Sequence, residues 1–287
     1  MAMAGEGLVL GIDVGCSDAR PSTCFCAVTW TQEIAQIEFR LTTAHDDRRA
    51  EAISRLVVDR PVAGVAIDGP LTKGFAQIEY YRAAEAVLSR GPLQKRGKPG
   101  QTSSPLGKAL HAHSLAIANQ VSRLALVDDA THRHSIHTTR IVEAFPNLYL
   151  GALVPETALE PLRRNASDVY WTTTALNSNL LMRHFRKLLP GRQIQIDCVA
   201  IRNHDQRAGL VCALTALAVV QGIQVAVGDP EGGDIMLPPR SSWGASRTEH
   251  ASWLEPVLRA NLASVIARRA SHRTHSAARI IENDRHW

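Results

Sequence analysis

Residues 8–68 carry the pattern that most restricts the fold. Leu8–Val14, Thr23–Trp30 and Ile34–Thr42 each read as a β-strand, with short connections and a hairpin turn at Thr31-Gln32. Asp46–Arg60 then reads as a helix, because Ala50, Ile53, Leu56 and Val57 recur on one face. Val62–Asp68 is a fourth strand, stopped by Gly69-Pro70. Three hairpin-linked strands, a helix and a further strand fit one mixed sheet. The first strand then lies between the second and the fourth, the last joined by the helical crossover that parallel strands require.

Beyond residue 68 the periodicity predicts helices over Gln77–Ser89 and Leu106–Leu126, separated by a Gly-, Pro- and Ser-rich loop at Gly91–Pro105. Thr138–Ala144 is a fifth strand, stopped before Pro146, and Val154–Ser178 is ambiguous between helix and strand. Leu180–Leu189 is helical, and His204–Gln221 is a helix apolar almost all round, so it belongs inside. Gln224–Val227 and Ile235–Leu237 are short extended pieces around a Gly-rich turn. Ser252–Arg269 is an amphipathic helix with Leu254, Leu258, Leu262 and Val265 on one side, a face that serves a homodimer as readily as a core. The chain end, Arg285-His286-Trp287, reads as frayed, and no internal repeat is present. The expectation is an α/β fold with a mixed five-stranded sheet flanked by helices. It occupies residues 1–240, interrupted by a basic insertion at about 76–137, with a C-terminal helical extension over 241–287.

Composition sets outer bounds. With 287 residues, 45% of them hydrophobic and 21% charged, the chain can bury a full core, and disorder is excluded as its dominant state. The longest strongly apolar run, Leu210–Val220, is far short of the ~20 residues that a membrane span needs. The start, MAMAGEGLVL, lacks a basic leader. Cys16, Cys24, Cys26, Cys198 and Cys212 form no paired framework, which suits a reducing cytoplasm.

Four acids stand at the ends of core elements: Asp13 in the first strand, Asp68 ending the fourth, Glu143 ending the fifth and Asp205 opening the apolar helix. A carboxylate in an apolar strand is costly unless it is paired or binds metal. Strand alternation puts Asp13 on the face of Gly11, and Asp68 on that of Gly64 and Ala66, small residues that leave room over both. Converging carboxylates repel, and a hard cation such as Mg2+ or Mn2+ relieves that repulsion. Two such ions activate a water and stabilise a leaving oxygen. Each acid also has a plainer use. Asp13 and Asp68 suit turns, Glu143 suits a pair with an arginine such as Arg140, and Asp205 suits a helix dipole.

This layout of acids is that of the ribonuclease H-like superfamily. The chain further resembles the domain of unknown function 429 family, described as predicted ribonuclease H-like nucleases. The stretches that carry the resemblance are Gly11–Gly15, Val65–Leu71, Tyr81–Glu85 on to Gly91, Gln94–Pro105, Val142–Pro146, Asp205–Ala216 and Gly228–Pro238. They span roughly residues 8–240. The resemblance implies the fold and a nuclease-type site at Asp13, Asp68, Glu143 and Asp205; it implies no particular substrate.

Charge points the same way. Lys+Arg outnumber Asp+Glu 32 to 27, for a net charge of +5. From Ala86 to Val127 there is no acid, and the stretch holds Arg90, Lys95, Arg96, Lys98, Lys108 and Arg123. Lys73, Lys95, Arg96, Lys98 and Lys108 are therefore expected to hold the phosphates of DNA or RNA, on a loop that covers the metal site. His111, His113 and the His132–His137 run lack a Cys-x-x-Cys partner and read as structural.

The sequence thus predicts a two-metal nuclease. Two other readings remain. One is a non-catalytic protein that keeps the fold and binds nucleic acid or a partner. The other is a sugar-kinase or actin-type phosphotransferase, whose first strand also carries Asp-x-Gly but which normally needs two such domains.

Overall fold

A computed structural model describes residues 5–72, 78, 80–95, 99–130, 138–158, 166–245, 252–272 and 279–282. The chain opens with β1 (Gly7–Asp13), β2 (Thr23–Trp30) and β3 (Ile34–Thr42), an antiparallel meander whose first turn partner, Thr31, bonds back to Ile34. Helix α1 (Asp46–Val57) then crosses over to β4 (Gly64–Asp68), which lies parallel to β1. The expected order of these four strands is the observed one.

After β4 come α2 (Ala83–Leu88), a short helical turn at Gly91–Lys95, and α3 (Pro105–Leu124). The first is shorter than expected; the start of the expected helix at Gln77 lies outside the described residues. Strand β5 (Ile141–Ala144) adds in parallel to β4. Helix α4 (Pro146–Leu153) follows, and the stretch without a clear period, Val154–Ser178, contains α5 (Ala166–Trp171) and a wide helical turn at Thr172–Asn177. Helix α6 (Leu180–Leu188) and β6 (Gln193–Gln195) follow.

Helix α7 (His204–Gln221) has the bounds expected from sequence. Asn203 caps its start by accepting from the Gln206 N–H, and Gly222 ends it in the left-handed region at φ 70°. Every residue from Ala208 to Val219 is buried. The chain ends with β7 (Val225–Asp229), β8 (Gly233–Leu237), α8 (Leu254–His272) and β9 (Arg279–Glu282).

Among the described residues the sheet therefore has nine strands, not five, in the order β6-β3-β2-β1-β4-β5-β8-β7-β9. The additions are at its edges. The β7–β8 hairpin and β9 extend one side, and the three-residue β6 extends the other. The C-terminal segment is more than a helical extension, because Arg279–Glu282 pairs with β7. Residues Arg285-His286-Trp287 lie outside the described set.

The sheet has a core on each face. On one, α7 packs over β1, β2 and β4, with Leu210, Ala213 and Leu214 against Cys26, Val28 and Ala66. On the other, α1 and α3 cover Leu8, Leu10, Ile12, Val65 and Ile67 with Ile53, Leu56, Ile117 and Val121. Helix α8 buries Leu254, Leu258 and Val265 in the first core and packs on α2. The chain itself thus uses the apolar face that a second copy would need. No helix of the described residues is long and apolar enough to cross a membrane.

Candidate active site

The site lies where β1 and β4 end. Asp13 and Asp68 occupy the same register on these parallel neighbours, so both side chains emerge on one face at adjacent positions. Both are partly exposed. Their carboxyls lie within hydrogen-bonding contact of one another. Burial and the neighbouring Asp68 and Asp205 push the Asp13 carboxyl well above the ordinary aspartate range. Burial and Glu143 push Asp68 up to about 7, against its bond to Asp13.

The small residues beneath these acids have a different use from the one expected. They do not leave open room. A Cβ on Gly11 would overlap the backbone of Gly209 and Ala213, so the missing side chain is what lets α7 lie directly on β1. That close approach brings the first turn of α7, and with it Asp205, to Asp13. Burial raises the Asp205 pKa, with His204 and Arg20 nearby pulling it down.

Glu143 is placed differently. Its register partners are Ile67 and Ile235, so it projects on the face opposite to Asp13 and Asp68. There it is buried, and its partner is Arg82 rather than Arg140. Arg82 gives two bonds to the carboxylate, at 2.8 and 2.6 Å, and the Leu71 N–H adds a third at 3.4 Å. Burial pushes the Glu143 carboxyl up in spite of Arg82. Burial also works against the Arg82 charge, but Glu143 and Glu85 outweigh it. The short bidentate contact is that of an ionised pair. The guanidinium of Arg140 goes instead to Ala63 O and Asp128.

The sequence pointed to no role for Arg82 and Glu85 and made Thr102 a phosphate donor of the basic loop, yet the three form the frame of the site. Arg82 also bonds Glu85 at 2.8 Å and the Gly232 carbonyl at the tip of the β7–β8 hairpin at 3.0 Å. Glu85 in turn accepts from the Thr102 N–H and hydroxyl. The available signal was an arginine and a glutamate three apart in an otherwise apolar stretch, Arg82–Leu88, where charges are tolerated only in partnership.

Among the expected cations, Lys73, Arg96 and Lys98 lie outside the described residues, as does the side chain of Lys95. Lys108 is exposed near the start of α3, beside the cavity-lining Gly107. Of the loop expected to cover the metal site, Pro99–Thr102 and Ser104 border a cavity that also touches Asp68 and Glu143. His111 bonds the Pro70 carbonyl and His113 lies against Arg49, both structural contacts, whereas His132–His137 is outside the described residues.

No protein family, curated protein or solved structure matches this chain. The site has to be read from its own chemistry. Paired carboxylates are hard oxygen donors, and Asp13 and Asp68 suit one divalent cation that would relieve their repulsion. Glu143 is already committed to Arg82. Among the described residues no group of three or more His, Cys, Asp or Glu side chains is arranged to hold a metal ion.

Proposed function

We propose that this chain is a divalent-metal-dependent phosphodiesterase that hydrolyses DNA or RNA, with one Mg2+ or Mn2+ held by Asp13 and Asp68. The observation that carries this reading is the shared register of these two acids at the ends of adjacent parallel strands, under the first turn of α7. The ion would lower the pKa of a water and offset phosphate charge there. Asp205 stands beside the pair and orients that water. The Arg82–Glu143 pair fixes the strand ends, and Lys108 meets the phosphate chain, joined by Lys73, Lys95, Arg96 and Lys98. In its wider form the proposal includes a ribonuclease H-like fold and the resemblance to the domain of unknown function 429 family. The central strand order β3-β2-β1-β4-β5 supports the first of these.

The test is cleavage of end-labelled single-stranded and duplex oligonucleotides with Mn2+, Mg2+ or EDTA. Mn2+-dependent cleavage by the wild type, lost in both Asp13→Asn and Asp68→Asn, is the expected result. Cleavage that survives in both variants sinks the reading.

One observation favours a second reading, a non-catalytic nucleic-acid-binding protein: Glu143 is sequestered, and no three-ligand metal group is assembled among the described residues. Oligonucleotide binding without cleavage under any metal would select it. A phosphotransferase of the two-domain kind has less support, because the described strands form a single sheet.

A further inference from the structure

A cavity of about 150 Å3 adjoins Asp68, between the ends of β4 and β5 and the first turns of α3. Part of its wall is charged, with Asp68 and the ion-paired Glu85, Arg82 and Glu143. The remaining walls are largely apolar, among them Pro70, Leu110, Phe145 and Ile235. Its roof, Pro99–Thr102, is held from below. Thr102 is buried and gives both its N–H and its hydroxyl to Glu85, and the Ser89 hydroxyl reaches the Pro99 carbonyl at 3.5 Å. Because Glu85 and Glu143 share Arg82, one buried ionic chain fixes both the roof and the charged wall. The cavity is therefore built into the fold and does not depend on the shape of a loose loop.

Its size and chemistry narrow the occupant. An apolar cavity of roughly 150 Å3 takes a single six-membered ring such as benzene and is small for two fused rings. A purely apolar ring would leave the polar lining, Gln101 among it, unmatched, whereas a ring with a polar edge would not. The cavity also shares Asp68 with the carboxylate pair, so its occupant lies next to the bond to be cleaved. A pyrimidine nucleotide combines these properties: a flat ring with polar edge groups, joined through a sugar to a phosphodiester.

We propose that the cavity receives one pyrimidine base of a single-stranded nucleic acid, turned out of its stack beside the scissile phosphate. The inference rests on the phosphodiesterase reading and makes it more specific. Duplex is disfavoured because a paired base has to be unpaired and unstacked before it can enter. Purines are disfavoured by size.

The test uses single-stranded oligonucleotides identical except at one position, which carries thymine, adenine or a base-free tetrahydrofuran sugar. With Mn2+, cleavage beside thymine is expected to be roughly tenfold faster than beside the base-free sugar, the gain from seating one base. Adenine should behave like the base-free sugar. Leu110→Trp, which fills the cavity, should erase the thymine advantage. Equal cleavage beside thymine and the base-free sugar in the wild type overturns the cavity assignment and leaves the phosphodiesterase reading standing. If no oligonucleotide is cleaved, the phosphodiesterase reading fails, and titration of 15N-labelled protein with uridine decides the cavity alone. Amide shifts at Thr102, Leu110 and Ala144 sustain it, and their absence overturns it.

Discussion

Asp13 and Asp68 face each other across two adjacent parallel strands at one register position, two crowded carboxyls set into the end of an apolar sheet. Folding has to hold these groups together against their repulsion and their loss of water. The position is therefore one where function and stability pull apart. Replacing Asp68 by Asn removes one charge, keeps the shape and lets the amide donate to Asp13. In EDTA at pH 8 the Asp68→Asn protein should melt several degrees above the wild type. Mn2+ should raise the wild-type Tm and leave that of the variant unchanged. Differential scanning fluorimetry with and without the ion checks both statements. A variant less stable than the wild type would show that the carboxyls are structural partners.

Arg82 is the opposite case, a buried cation whose removal strands two buried anions. Arg82→Ala leaves Glu143 and Glu85 without their shared partner and should cost about 3–5 kcal/mol in urea unfolding. Arg82→Lys keeps the charge but loses the two-pronged grip on Glu143, so it should recover only part of the loss. A full recovery would mean that charge alone matters at this position.

The placement of Asp13, Asp68 and Asp205 was legible because each stands at the boundary of a strongly patterned element, where the end of the pattern fixes the end of the strand or helix. The face of Glu143 was not. It depends on whether Ile67 or Asp68 opposes it on β4, and interstrand register is set by packing between elements far apart in sequence. The partner of Glu143 was hidden for the same reason: Arg140 is three residues away along the chain, but Arg82, at 61 residues, is the one that touches it. The edge strands escaped notice because β6 is three residues of mostly polar sequence and β9 is four, too short for any period to appear.

Gly11 tests whether the approach of α7 is what assembles the site. A methyl group there would overlap the Gly209 carbonyl and the Ala213 backbone, and the helix cannot yield without leaving the sheet. Gly11→Ala should therefore cost about 1–3 kcal/mol in chemical denaturation. It should also move Asp205 away from Asp13, so Mn2+-dependent cleavage should fall further than Mn2+ binding does. Parallel losses of binding and cleavage would indicate that α7 supports the pair without contributing to it.

His184 gives a pH signature independent of the carboxylates. It is buried between the Tyr149 hydroxyl, at 2.8 Å, and the Ser242 hydroxyl, at 2.9 Å. Burial, with Lys187 nearby, lowers its pKa to about 3 from the ordinary 6.5 of a histidine. Between these two values the unfolded chain takes up a proton that the folded chain refuses. Stability from the neutral imidazole is therefore complete above pH 6.5 and is lost progressively as the pH falls toward 3. From this group alone, the free energy of unfolding should drop by about 2 kcal/mol between pH 7 and pH 5. His184→Gln should flatten that part of the profile in urea melts at the two pH values. In the wild type, the His184 ring resonances should not shift between pH 7 and pH 5. A ring that titrates near 6.5 would show that this side chain is open to water.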